Sequence, residues 1–244
     1  MQRTNLRFQV VLFGNFDDII PNPETIKYFL ESYADRNLIP NQFQEVNIDA
    51  VSGINSTNNR LCLTSGDQSW DIRFSFDRMD AILTNANIGV TAMEDRDSFI
   101  KSFSDIYSKF NSRFPRKVKR IGFVCQHLLS DVSVDDVAKK INKSTAFYKE
   151  TAPTGFNNLV VNKTSVRIPE EELINVSSEL RWIKTNLKIE NRDQAFEGLL
   201  YATDINTIAE NVEYRLDKKG ITNFLSESTT ITARINDEYF NLLK

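Results

Sequence analysis

The chain contains one histidine, His127, and two cysteines, Cys62 and Cys125, and these are its only imidazole and thiol groups. A multi-histidine zinc site needs at least two imidazoles, so that class is excluded. Cys125 and His127 stand two residues apart on an apolar run from Ile121 to Leu129, and in a strand that spacing puts both side chains on one face. A Cys–His nucleophilic pair needs such proximity. It also needs the base aimed at the thiol and a third group to orient it, which neighbours on one strand seldom provide. The expectation is a buried thiol beside a half-buried imidazole.

The carboxylates give a second option. Asp67, Asp71, Asp77 and Asp80 fall in one run with Arg73 and Arg78. Alternating carboxylates on a strand could hold a divalent metal for phosphodiester hydrolysis, because hard cations take oxygen ligands. Against this, Asp71 and Arg73 are i and i+2 on a wet face, where opposite charges simply solvate the strand. Asp67, Asp77 and Asp80 lie where turns favour aspartate. A third option is the basic cluster Arg113, Arg116, Lys117, Lys119 and Arg120, which could meet an acidic partner or phosphates. Basic residues at the end of a helix also complement its dipole. No aromatic lies within residues 116–120, so stacking on single-stranded nucleic acid finds little support.

No G-x-G-x-x-G, G-x-x-x-x-G-K-[ST], G-x-S-x-G or H-E-x-x-H occurs, and the eight glycines are scattered singly as turn and cap residues. No cofactor is expected. With 244 residues, 41% hydrophobic and 26% charged, the composition is that of a globular protein. Folding a chain of this size buries about 70% of its surface, so no disulfide or metal staple is needed. A net charge of −3 argues against broad nucleic-acid binding. The apolar run near the N-terminus, Val10 to Phe13, is too short for a signal peptide, and no stretch approaches 18 apolar residues. Two cysteines fit a reducing compartment, and the expected location is the cytoplasm.

The elements that must position these residues follow from pattern. Leu6 to Phe13 alternates as a strand, and Asn22-Pro23 opens a helix carrying Ile26, Phe29, Leu30 and Tyr33. Phe43–Ala50, Arg60–Thr64, Trp70–Phe76 and Met79–Asn85 read as a strand meander, with Asn55–Asn59 as a polar turn and Trp70, Ile72, Phe74 and Phe76 on one face. Residues 95–113 form an aromatic helix and 118–129 a buried central strand, followed by a short helix from Ser133 to about Asn142. Strands over Leu159–Arg167, Leu173–Leu187 and Ala195–Ile205 precede a helix from Asn206 or Thr207 to Lys218 and a last helix over Ser228–Leu243. The reading is α+β: antiparallel sheets packed against a few helices in two similar halves, 1–141 and 156–244, joined by a linker over 142–155.

The order Arg60-Leu61-Cys62-Leu63-Thr64-Ser65-Gly66-Asp67, then Trp70 to Phe76, then the helix of Phe99, Phe103 and Tyr107, then Arg120-Ile121-Gly122-Phe123, resembles a sporadically distributed family of prokaryotic proteins of about 250 residues with no assigned function. Leu200 to Ile205 and Phe224 resemble its second half. The family strand continues Arg-Tyr-x-Asn, where this chain has Val124-Cys125-Gln126-His127. The resemblance brings no activity or catalytic residue, and its patchy distribution implies a link to mobile or defence genes. The expected function is a non-enzymatic adaptor or sensor that recognises a protein partner or itself, as a homo-oligomer such as a dimer. The alternatives are a metal-dependent nuclease or hydrolase built on the four aspartates, and a small-ligand carrier using the aromatic interior.

Overall fold

Alternation in the first residues produces β1 (Gln2–Phe13), whose Phe8, Val10 and Leu12 are fully buried. The computed structural model describes residues 1–48, 55–91, 93–141 and 154–243. β1 leads to α1 (Pro23–Tyr33), capped by the Asn22 side chain, which accepts a hydrogen bond from the Thr25 amide at 2.8 Å. A 3₁₀ turn over Ala34–Arg36 feeds β2 (Leu38–Ile48), β3 (Asn55–Ser65), β4 (Trp70–Phe74) and β5 (Arg78–Thr84). Then come α2 (Arg96–Arg113), β6 (Arg120–Ser130), α3 (Val134–Ile141), β7 (Asn157–Ile168), β8 (Glu170–Ile189), β9 (Arg192–Thr207) and α4 (Lys218–Leu243). The strands form one nine-stranded sheet in the order β2-β3-β4-β5-β1-β6-β9-β8-β7, antiparallel throughout. The α+β class with antiparallel pairing therefore holds, and the sheet is single: β6 pairs with β1 on one side and β9 on the other. Residues 1–141 supply six strands, and 156–244 supply three long ones.

The helices cover one face. Five apolar residues of α2 (Phe99, Phe103, Ile106, Tyr107 and Phe110) are buried, and Phe99 meets Phe8, Trp70 and Phe123 at ring distances of 5.2–6.4 Å. Phe74 touches both Phe29 of α1 and Phe110 of α2. Each such ring contributes roughly 1.5–3 kcal/mol on burial. Tyr33 donates to the Ile106 carbonyl at 2.8 Å and Tyr28 to that of Lys109 at 2.7 Å, so the two helices are stitched together as well as packed. α4 continues this layer over β6 and β7. The opposite face carries polar residues, among them Arg7, Gln9, Arg73, Asp80 and Gln126. No described helix is long and apolar enough to cross a membrane.

Two irregularities shape the sheet. A bulge at Leu6 shifts the register so that Asn5 faces His127 while Arg7 faces Gln126, turning Asn5 onto the helix side. Gly198 sits where β9 leaves β6, and a Cβ there would stand 2.7 Å from the Leu129 carbonyl oxygen.

Several sequence expectations need correction. Asn55–Asn59 is not a turn: it opens β3 and pairs with Gln44–Ile48, because a strand near the sheet edge can be polar on both sides. Pro40 lies inside β2, tolerated because β2 is the edge. The face of Trp70, Ile72 and Phe74 stops there, and Phe76 is 51% exposed beyond the strand end. No helix runs from Asn206 or Thr207 to Lys218, since β9 extends to Thr207 and α4 begins at Lys218. Asp217 caps α4 by accepting from the Gly220 amide at 2.9 Å. Leu216 exchanges two backbone hydrogen bonds with Val118, which holds the preceding segment extended. Lys218-Lys219-Gly220, read as a helix stop, is the first turn. Residues 142–153 of the expected linker, like Ala50 and Asn142 in the expected elements, lie outside the described residues.

Candidate functional site

The four aspartates are dispersed over turns and strands. Asp67 closes the β3–β4 turn: one carboxylate oxygen accepts from Ser65 Oγ at 2.6 Å, Ser69 Oγ at 2.8 Å and the Ser69 amide at 3.1 Å. These bonds hold its pKa below the usual carboxylate range, Ser65 first. Asp71 pairs with Arg73 at 2.7 Å on the wet face of β4. Asp77 is exposed in the turn before β5. Asp80 is buried, accepts from Gln9 Nε2 at 2.8 Å and pairs with Arg78 at 2.9 Å; burial pushes its pKa up. Among the described residues, no three of His, Cys, Asp and Glu stand close enough to hold a metal ion.

The basic cluster divides. Arg116 is a strut: it makes a bidentate pair with Asp18 at 2.9 and 3.1 Å, donates to the Asn15 carbonyl at 2.6 Å, and lies about 5 Å from both the Phe16 and Phe110 rings. Arg120 donates to the Thr207 carbonyl and Asn206 Oδ1, fastening β6 to β9. The Lys119 carbonyl accepts from Arg215, which also pairs with buried Glu172. Arg113 and Lys117 face solvent. Arg113 and Lys117 thus remain as exposed charge, and the half-buried Lys119 keeps an ammonium with no ion pair among the described residues.

Sequence reasoning underrated two places. One is the edge strand β7, where Leu159, Val160 and Val161 are 59%, 52% and 59% exposed. It pairs with β8 through twelve consecutive residues without a bulge, and from Asn157 to Val166 it has no proline and one charge, Lys163. The signal was the apolar triplet itself, but a triplet does not say whether its strand lies inside a sheet or at its rim.

The other is His127. Cys125 and His127 do share a face; the thiol is buried as expected, and the imidazole is more deeply buried than expected. Burial pushes the Cys125 thiol up to about 12, so it is no nucleophile at neutral pH. His127 is 4% exposed, ringed by Phe8, Tyr201 and Phe240 at 6.3–6.4 Å, and its Nδ1 lies 3.0 Å from Asn5 Oδ1. Burial, then the charges of Arg3 and Arg96, lower its pKa to about 4, leaving the ring neutral. Nε2 is buried and has no partner among the described residues. The bulge that turns Asn5 inward gives no signal in the sequence.

No family model, no curated protein and no solved structure matches this chain.

Proposed function

We propose that this protein is a non-enzymatic binding protein that engages a partner polypeptide by strand addition at the β7 edge. The observation that carries this reading is the row Leu159-Val160-Val161, exposed on both faces of an unbulged edge strand. An edge strand presents unpaired amides and carbonyls, and proteins that avoid pairing blunt such edges with prolines, charges or bulges. Here those devices are reduced to two charges, Lys163 and Arg167. Strand addition takes affinity from the main chain and specificity from alternate side chains, and Leu159 and Val161 at i and i+2 offer an apolar pair for that purpose. A second copy of this chain is one partner of the right shape, giving a two-fold β7–β7 pair and a homodimer.

Native mass spectrometry of tagged protein drawn from its own host tests the reading. The expected result is a stable mass excess, of one more copy or of another polypeptide, that disappears in the Leu159→Lys/Val161→Lys variant while the melting temperature is unchanged. Bare monomer for the unmodified chain, or the same excess in both proteins, overturns it. Arg113 and Lys117 are the natural second contact for an acidic partner, and their alanine variants should weaken binding at low salt more than at high salt.

A further inference from the structure

Away from the β7 edge, a cavity of about 570 Å³ opens where the start of β2, the β3–β4 turn and the segment before α2 meet. A second, of about 240 Å³, shares Arg36, Trp70 and Glu94 with it. Both have apolar wall, from Ile39 and Leu83 in the larger and from Leu38 and Ile106 in the smaller. Two local features shape this place. Asn37 takes a left-handed φ of 51°, a conformation asparagine tolerates, as the chain leaves the 3₁₀ turn for β2. Asp67 tightens the β3–β4 turn, and Trp70 begins β4 directly after it. Ile72 and Phe74, on the same face of β4, are fully buried, whereas Trp70 keeps exposed surface. Phe99 stacks on its ring at 5.2 Å and holds it in place.

The charges around the two cavities do not cancel. Asp35 pairs with Lys109 at 3.2 Å and Arg36 with Asp105 at 3.1 Å. Asp67 and Glu94 are left over: both line the larger cavity, and neither has an ion pair among the described residues. One oxygen of Asp67 takes all three bonds of the turn, and one oxygen of Glu94 accepts from Ser102 Oγ at 3.1 Å. The second oxygen of each accepts nothing among the described residues. Two unneutralised carboxylates disfavour a phosphate or other anion and attract a cation. With no third ligand grouped with them among the described residues, that cation is not a metal ion. Indole is the best aromatic partner for an organic cation, and the contact is worth about 0.5–2 kcal/mol. The larger volume lies within the range of small-molecule pockets.

We propose that this cavity binds a small organic monocation with a flat apolar body, an arylamidinium or arylalkylammonium. Its body lies against Trp70, its cationic N–H groups donate to Glu94, and Asp67 adds a second negative charge. The half-exposed tryptophan at the head of β4 and the unpaired carboxylate beside it then serve one ligand. This site stands apart from strand addition at β7, and neither depends on the other.

Trp70 and Trp182 are the only tryptophans, so the full-length ¹⁵N-labelled protein yields two indole N–H resonances. Trp182→Phe, or Trp70→Phe if that variant does not fold, assigns them. Titration with benzamidine and, separately, phenethylamine should move the Trp70 resonance saturably for at least one of them, leave that of Trp182 in place, and raise the melting temperature. Benzamide and benzoate, which carry a similar ring with no charge or a negative one, should do neither. Glu94→Gln keeps an acceptor for Ser102 but removes the charge, and it should weaken the titration at least tenfold with the melting temperature of the free protein unchanged. Added salt should weaken the titration of the unmodified protein, which serves if the glutamine variant does not fold. A Trp70 resonance that neither cation moves, equal titration by benzamide or benzoate, or equal titration of wild type and Glu94→Gln would overturn the proposal. The cavity would then be a water-filled space.

Discussion

The two edges of the sheet are finished differently. At β2, Pro40 removes one amide from the rim, and Glu45 turns inward to a buried ion pair with Arg60 at 2.7 Å; a helix packs against each edge strand, α1 on β2 and α4 on β7. Arg60 is 3% exposed, also pairs with Asp17 at 2.9 Å and lies over the Phe76 ring, so it ties the β2–β3 hairpin to two loops. At β7, no proline or bulge interrupts the strand, and its exposed apolar residues face solvent on both sides. One edge is closed by its own chain. The other retains the features of a pairing surface. The difference teaches that an exposed edge is not the default at the end of a sheet, because this molecule has the means to close one.

The largest effect expected from breaking the comparison is at the closed edge. Arg60→Met should cost about 3 kcal/mol, because Glu45 would be left without its buried partner. That corresponds to a fall in melting temperature of roughly 6–12 °C by calorimetry. An unchanged melting temperature would remove the buried pair from the account of this edge.

Between the two edges, acid should act through His127 of β6. The folded-state pKa of His127, about 4, lies below the ordinary imidazole value of 6.5. A group depressed in this way leaves stability intact above pH 6.5; the loss grows as pH falls, and is complete near pH 4. The expected loss is about 3 kcal/mol across that window. Arg3 and Arg96 are the cations facing the ring, and Asp95, Asp97 and Asp237 line a cavity beside it. Comparing urea unfolding of wild type and His127→Gln at pH 7 and 4.5 isolates the contribution of the imidazole. Parallel pH dependence in the two proteins would refute it.

The smallest energetic effect sharpens the comparison most. Pro40→Val restores the missing amide to β2 and should change stability by less than about 1 kcal/mol, as edge substitutions of this kind do. If the proline blunts the edge, sedimentation velocity should show new self-association of the variant, and this association should survive the lysine substitutions at Leu159 and Val161. Monomeric behaviour would show that Pro40 does not blunt the edge.

Much of the fold was legible because local rules and tertiary demands agreed. Asn22 and Asp95 cap their helices, the α2 stripe is buried as its spacing required, and β6 is central as its apolar run implied. The failures occurred where those demands diverged. The segment after β9 has helical spacing, but Arg215 is drawn to Glu172 and the Lys119 carbonyl, and Leu216 pairs with Val118. The candidate sites were less legible. Arg116 and Arg120 look like a surface patch in the sequence, yet their guanidiniums are spent on internal carbonyls and carboxylates.

By itself the sequence determined the class of this protein, because period and caps act over a few residues. It also determined what chemistry is missing, since a chain with one histidine and no phosphate loop lacks the parts for several mechanisms. Only the tertiary structure decided which strands became edges, because edge status depends on pairing between segments far apart in the chain. It also decided that a one-residue bulge would set Asn5 against His127, 122 residues away, and leave the other imidazole nitrogen buried with no partner among the described residues. Residue types fix which hydrogen bonds are possible, and packing decides which of them remain unmade.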